Sequence, residues 1–188
     1  MIQIRSNVFE TNSSSTHSIC IPKKTKSTVN QVYFGIGEYG WENDTVHDTA
    51  SYLYTAILCG YEYKEAMKKL NKLTEILNRY DIAYTFEKPK WEISNYDGSK
   101  YLGYGYLDHA WDTHELVEAL LDDEDILLRY LSAGVVYTGN DNQECHPSGC
   151  NIADEYMWVY DNDDDWRGKE VPNPYHDEEN FDYFYKGN

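Results

Sequence analysis

The residues from Arg5 to Ser18 read Arg-Ser-Asn-Val-Phe-Glu-Thr-Asn-Ser-Ser-Ser-Thr-His-Ser, the densest run in the chain of side chains that can do chemistry. In an extended backbone alternate side chains share a face, so Ser13, Ser15 and His17 lie together. A serine two residues from a histidine can hydrogen-bond to it across a kink, and Glu10 can orient the imidazole. That meets the type requirement for an activated hydroxyl nucleophile, with Glu10, Ser15 and His17 as catalytic candidates. The same bend has a second use. Successive N–H groups around Asn12, Ser13 and Ser14 can form an anion nest, with Arg5 completing a phosphate or carboxylate site. A third use is structural: Asn12 tolerates a left-handed conformation, and the hydroxyls satisfy the backbone of a tight crossing. The glycines of a serine-hydrolase elbow are missing. From the residues alone all three uses stay open.

A metal is the next chemistry to weigh. His17-x-x-Cys20 and Cys145-x-x-x-x-Cys150 offer four borderline or soft ligands, with His146 in reserve. Their spacing matches no common zinc module, so the thiols are expected to be free and no metal or other cofactor is assigned. Four cysteines are too few and too scattered for a disulfide scaffold, and Cys59 falls on an apolar helical stripe as a packing residue. GIGEYG and GYGYLDHA lack both the P-loop lysine and the dinucleotide spacing.

Charge gives a different kind of signal. The 188 residues include 33 acids and 16 bases, a formal charge of −17. Residues 111–188 carry −16 of it. Two acidic patches, Asp122-Asp123-Glu124-Asp125 and Asp161–Asp165, alternate with aromatics that include Trp158 and Trp166. Aromatic residues make up 15% of the chain, and 19 of them are tyrosines, a side chain favoured in sheets and at interfaces alike. Carboxylates on a rigid aromatic frame can copy the charge spacing of a nucleic-acid backbone and be steered to a basic groove. Such a charge argues against a protein that binds nucleic acid directly through a broad basic surface.

The block VFETNSSSTHS closely resembles one that opens many uncharacterised proteins of bacteriophages and mobile elements of Gram-positive bacteria. FGIGEYGWEND, SYLYTA, YTGNDN and the terminal FYKGN are similar to further stretches of that family. The resemblance implies a phage-like setting. It implies no mechanism.

The elements that must position these residues follow from pattern. Strands are expected around Ile2–Phe9, Ile19–Ile21, Gln31–Phe34, Ile82–Phe86, Trp91–Ser94, Tyr101–Leu107, Gly134–Thr138, Tyr156–Tyr160 and Phe181–Tyr185. Asn43 or Asp44 is expected to cap a helix through Leu58, with Gly60 just beyond it. The spacing predicts a second helix over Tyr63–Tyr80, its stripe Ala66, Met67, Leu70, Leu73, Leu77 and Tyr80 packed on an antiparallel sheet. Asp112-Thr-His-Glu115 has capping-box spacing for a third helix, and Asp122 to Asp125 caps a fourth through Leu131. Hairpin-like strand runs with paired helices predict an α+β fold, a mainly antiparallel β-sheet packed against several α-helices. One domain over residues 1–188 is expected, with an acidic, aromatic-rich C-terminal region from about 111.

No stretch approaches the roughly 18 to 20 apolar residues of a membrane span, and the N-terminus lacks the apolar core of a secretion signal. Mean hydropathy is −0.73. The expected setting is the host cytoplasm, with no membrane partner. The expected function is that of a phage-type effector, anti-CRISPR-like or anti-restriction-like. It would inhibit a host nucleic-acid-handling defence protein by occupying its basic groove. The alternative is a small enzyme, or a protein binding an anion or nucleotide, built on Arg5, Glu10, Asn12 and the Ser/His run.

Overall fold

A computed structural model describes residues 15–40, 42, 44–140, 152–159 and 169–186. The strand expected over Ile2–Phe9 lies outside them, as do Arg5, Glu10, Asn12, Ser13, Ser14, Cys145, Cys150, Asp163, Asp164, Asp165 and Trp166.

The fold is α+β. Its main sheet has four antiparallel strands, built around β1 (Ser15–Pro22). β1 pairs on one side with β12 (Phe181–Lys186) and on the other with β9 (Val135–Asn140), which pairs in turn with β4 (Asp44–Val46). The register sets His17 opposite Lys186 and Thr138, and Ile19 opposite Phe184 and Val136. β1 is buried on both faces from Ser15 to Ile21, as a central strand covered on each side must be.

Four smaller ladders flank this sheet. β2 (Gln31–Phe34) pairs with β5 (Ala83–Phe86), and β3 (Glu38–Tyr39) with β8 (Tyr106–Leu107), both in parallel. β6 (Trp91–Ile93) and β7 (Lys100–Leu102) form a hairpin whose turn contains Gly98 at φ +73°, as the Asp97-Gly98 pair predicts. β10 (Tyr156–Val159) pairs with β11 (Lys169–Pro172).

Helix α1 (Thr49–Gly60) is the centre of the packing, with Thr49 to Leu58 all buried. It starts later than expected. Residues 44–46 extend the main sheet as β4, and the Asp48 carboxylate caps the helix by accepting the Ser51 N–H at 3.1 Å. Helix α2 (Tyr63–Arg79) buries Ala66, Leu73, Ile76 and Leu77. Two points differ from the sequence reading. Tyr80, expected on the stripe, is 46% exposed just past the helix end. The stripe also packs on α1, on β5 of a parallel pair and on α3 (His114–Asp122), whereas an antiparallel sheet was expected beneath it. The capping-box spacing at Asp112 does not cap α3 either. Asp112 sits inside a 3-10 turn, Ala110–Thr113, and Thr113 takes the cap position without a side-chain bond. Asp123 does cap α4 (Glu124–Ala133), accepting the N–H groups of Asp125 and Ile126 at 3.0 and 3.3 Å.

Candidate functional site

β1 carries the end of the Ser/His block into the centre of the molecule. Ser15 and His17 share the sheet face that looks toward α1, as alternation requires. They do not bond to each other. His17 has no exposed surface. Its Nε2–H donates to the Gly40 carbonyl at 2.9 Å, and the Tyr52 hydroxyl donates to Nδ1 at 2.8 Å. The carbonyl accepts only, which sets the tautomer. Burial above all, and then the Lys186 charge across the strand pair, pull the imidazole pKa down to about 3. Burial pushes the Tyr52 phenol far up, so it stays a donor.

Ser15 has a different partner. The Lys186 ammonium, brought over it by the β1–β12 register, donates to the Ser15 hydroxyl and to the Ser15 carbonyl, the latter at 2.8 Å. Burial pulls Lys186 down to about 8, with Asp108 and Asp112 pushing the other way. A lysine of that basicity can accept a serine proton. Here, however, Ser15 is wholly enclosed. A cavity of about 180 Å³ opens on Lys186, Asp112, Thr113 and Glu115 and is not lined by Ser15. With the imidazole neutral and saturated and the hydroxyl covered, the arrangement pins strands together and offers no route for an electrophile.

The Lys186 charge has a measurable cost. Its folded pKa lies below the ordinary 10.5, so the unfolded chain holds the proton more tightly. Stability therefore rises between about pH 8 and 10.5, and at neutral pH the buried charge costs on the order of 3 kcal/mol. Lys186→Met is expected to be no less stable than wild type in urea denaturation at pH 7. The wild-type-minus-variant difference should move in favour of wild type as pH rises to 10. A loss above about 2 kcal/mol at pH 7 would show that the bonds to Ser15 and the attraction to Asp108 and Asp112 together outweigh burial.

The glycine-rich segment after β2 is tied down from all sides. The Gly35 N–H donates to Ser51 Oγ at 2.8 Å and Gly37 N–H to Thr55 Oγ1 at 3.0 Å, both hydroxyls coming from α1. Ile36 N–H donates to Glu87 Oε2 at 2.8 Å, and Thr138 Oγ1 donates to the Glu42 carbonyl at 2.6 Å. Gly105, at φ +73°, lets the backbone before β8 lie close; a Cβ there would meet Ile36 Cγ2 and stand 2.8 Å from the Gly37 carbonyl oxygen. Residues from five stretches distant in sequence thus meet around one histidine. His17, Gly40, Tyr52, Thr138 and Lys186 come one from each. Tyr52, Gly40 and Lys186 escaped the residue-by-residue reading, because each reaches Ser15 or His17 from a segment distant in sequence.

The zinc set does not assemble as a strand-borne pair. His17 and Cys20 differ by three positions on β1 and point to opposite faces. Cys20 is buried, and burial pushes its thiol up to about 12, which makes it inert. Cys145 and Cys150 lie outside the described residues.

The acids of α3 and α4 that were expected to bind a partner are engaged within the fold. Asp122 pairs with Lys72 at 2.5 Å, a bond that draws its carboxyl below the usual range. Glu124 pairs with Arg79 at 2.7 Å, and Asp125 with Arg129 at 2.9 Å; Asp123 is the α4 cap. Of Trp158 the structure gives the backbone, in β10.

A second group of acids, in the middle of the chain, keeps exposed tyrosines for company. Tyr33 is 56% exposed, Tyr106 44% and Tyr104 37%. The Tyr104 hydroxyl lies 3.0 Å from Glu87 Oε1, and Tyr106 lies beside Glu42, Asp108 and Glu38, whose charges help burial hold its phenol up. Among the described residues Glu38, Glu42 and Glu87 have no ion pair, while nearby Lys90 pairs with Glu92. No family model, curated protein or solved structure matches the chain. Among the described residues no helix is long and apolar enough to cross a membrane.

Proposed function

We propose that the protein is a phage-type effector that binds a host nucleic-acid-handling defence protein and blocks its basic groove. The observation that carries this reading is the set of exposed tyrosines standing among carboxylates that have no cationic partner, in a chain of charge −17. Rigid rings supply contact area, and the surrounding negative field supplies steering and register. The enclosure of Ser15 and His17 supports binding over catalysis, because that serine and imidazole are committed inside the fold. Asp122, Glu124 and Asp125 are partly neutralised by their own lysine and arginines, so their share of the field is smaller than their number suggests.

The Asp163-Asp164-Asp165 run, with Trp158 and Trp166 as aromatic anchors, is the other part of the proposed surface. Replacing all three aspartates by asparagine keeps their shape and removes three charges. Affinity capture from host lysate, with wild type and this variant at low and high salt, tests the reading. The expected partner binds nucleic acid on its own, releases it when the effector is added, and is recovered less well at high salt or with the variant. Equal recovery under all four conditions, with nucleic-acid binding intact, would sink the mimic.

A further inference from the structure

We propose that Tyr33, Glu87 and Tyr104 form an arginine-docking site, so that the partner presents guanidinium groups to this face; the inference rests on the binding role proposed above. The site is built from three segments. Tyr33 points outward from β2, whose residues alternate exposed and buried. The next residue but one is Gly35, and a Cβ there would stand 3.1 Å from Tyr33 Cε1 and 3.6 Å from Glu87 Oε2. The Tyr33 ring therefore reaches forward over Gly35, on the side of the Glu87 carboxylate. That carboxylate is fixed at both oxygens, Oε2 by the Ile36 N–H at 2.8 Å and Oε1 by the Tyr104 hydroxyl at 3.0 Å. The Tyr54 hydroxyl, donating to the Glu87 carbonyl at 2.8 Å, holds the backbone beneath.

A carboxylate has about four acceptor positions, and two of these are used. What remains is an anchored anion beside two partly exposed tyrosine rings. Guanidinium fits this chemistry better than ammonium does. It is planar, it stacks on an aromatic face, and it donates two parallel bonds to a carboxylate while shedding less hydration. The negative field extends along the same segment. Glu42 Oε2 would stand 3.1 Å from a Cβ at Gly40, which would also meet the Tyr106 hydroxyl, and Glu38 is exposed opposite Tyr106 in the β3–β8 ladder. Lys88 is exposed beside the site, its carbonyl 3.0 Å from the Tyr104 hydroxyl and sharing that one proton with Glu87 Oε1, while the ammonium of Lys90 is held by Glu92. The arginine preference therefore comes from the rings, and the overall attraction from the acids.

Nona-arginine and nona-lysine peptides have equal charge and length, so they separate the two contributions. Binding of each to the full chain is measured by fluorescence anisotropy at near-physiological salt. Wild type is expected to favour the arginine peptide by about fivefold or more. Tyr33→Ala with Tyr104→Ala should bring that ratio close to one and leave lysine-peptide affinity almost unchanged. Tyr33→Phe, which keeps the ring, should preserve the ratio. Glu87→Gln, still able to accept the Ile36 N–H, should lower it. Circular dichroism of each variant verifies the fold. Equal affinity of wild type for the two peptides, or a preference that survives loss of both rings, overturns the arginine site and leaves the acidic-surface reading standing. Failure of both peptides to bind at low salt overturns that reading as well.

Discussion

His17→Ala is expected to destabilise the protein by roughly 3–5 kcal/mol at pH 7, the sum of a buried cavity and two orphaned hydrogen-bonding groups. Gly40 O and the Tyr52 hydroxyl would both lose their partner in a site that water does not reach from the surface. The loss should depend on pH in a definite direction. The imidazole is held near 3 in the folded chain, against an ordinary 6.5, so the unfolded state binds the extra proton first. The stability that neutral His17 provides is complete above about pH 6.5 and drains away as pH falls toward 3. At about 1.4 kcal/mol per pH unit, wild type should lose on the order of 2–3 kcal/mol between pH 6.5 and 4.5 through this group, a loss the alanine variant does not share. Urea denaturation at pH 7 and 4.5 reads the difference. An unchanged gap between the two proteins would mean that His17 is not the neutral, enclosed bridge described here.

Leu73→Ala should cost about 2–5 kcal/mol, because Leu73 is wholly enclosed on the α2 face that packs between α1, α3 and β5. Tyr80→Ala, at the end of the same sequence stripe, should cost less than about 0.5 kcal/mol. Thermal or urea melts of the two variants give the contrast directly. Similar costs for both would place Tyr80 in the core, against its exposure at the end of the helix.

Much of the architecture was legible because it is local. The α2 periodicity, the Asp123 cap, the Asp97-Gly98 hairpin and the strand at Gln31–Phe34 each follow from side chains within a few residues of one another. β4 was not legible. Asp44-Thr-Val46 has no strong strand pattern of its own, and it becomes a strand only because β9 presents a free edge to it. The surroundings of α1 were equally hidden. Nothing in the local pattern singles out Ser51, Tyr52 and Thr55. They are buried donors and acceptors for a loop and a histidine from elsewhere in the chain.

The candidate site divides in the same way. Sequence spacing placed Ser15 and His17 on one face of a strand, since alternation is a property of extended backbone alone. Their partners came from α1, from β12 and from the residue after β3, thirty-five or more residues away in every case but Gly40, and a neighbouring serine and histidine that looked like a dyad are bonded past each other. The amino-acid sequence by itself determined the α+β class, the long apolar-striped helix and the strongly negative charge, because these depend on composition and short-range periodicity. Only the tertiary structure decided that Ser15 and His17 are enclosed, that Asp122 and Glu124 pair with cations of α2, and that Tyr33 and Tyr104 flank one anchored carboxylate. Each of these depends on burial and on contacts between distant segments, which residue spacing along the chain does not encode.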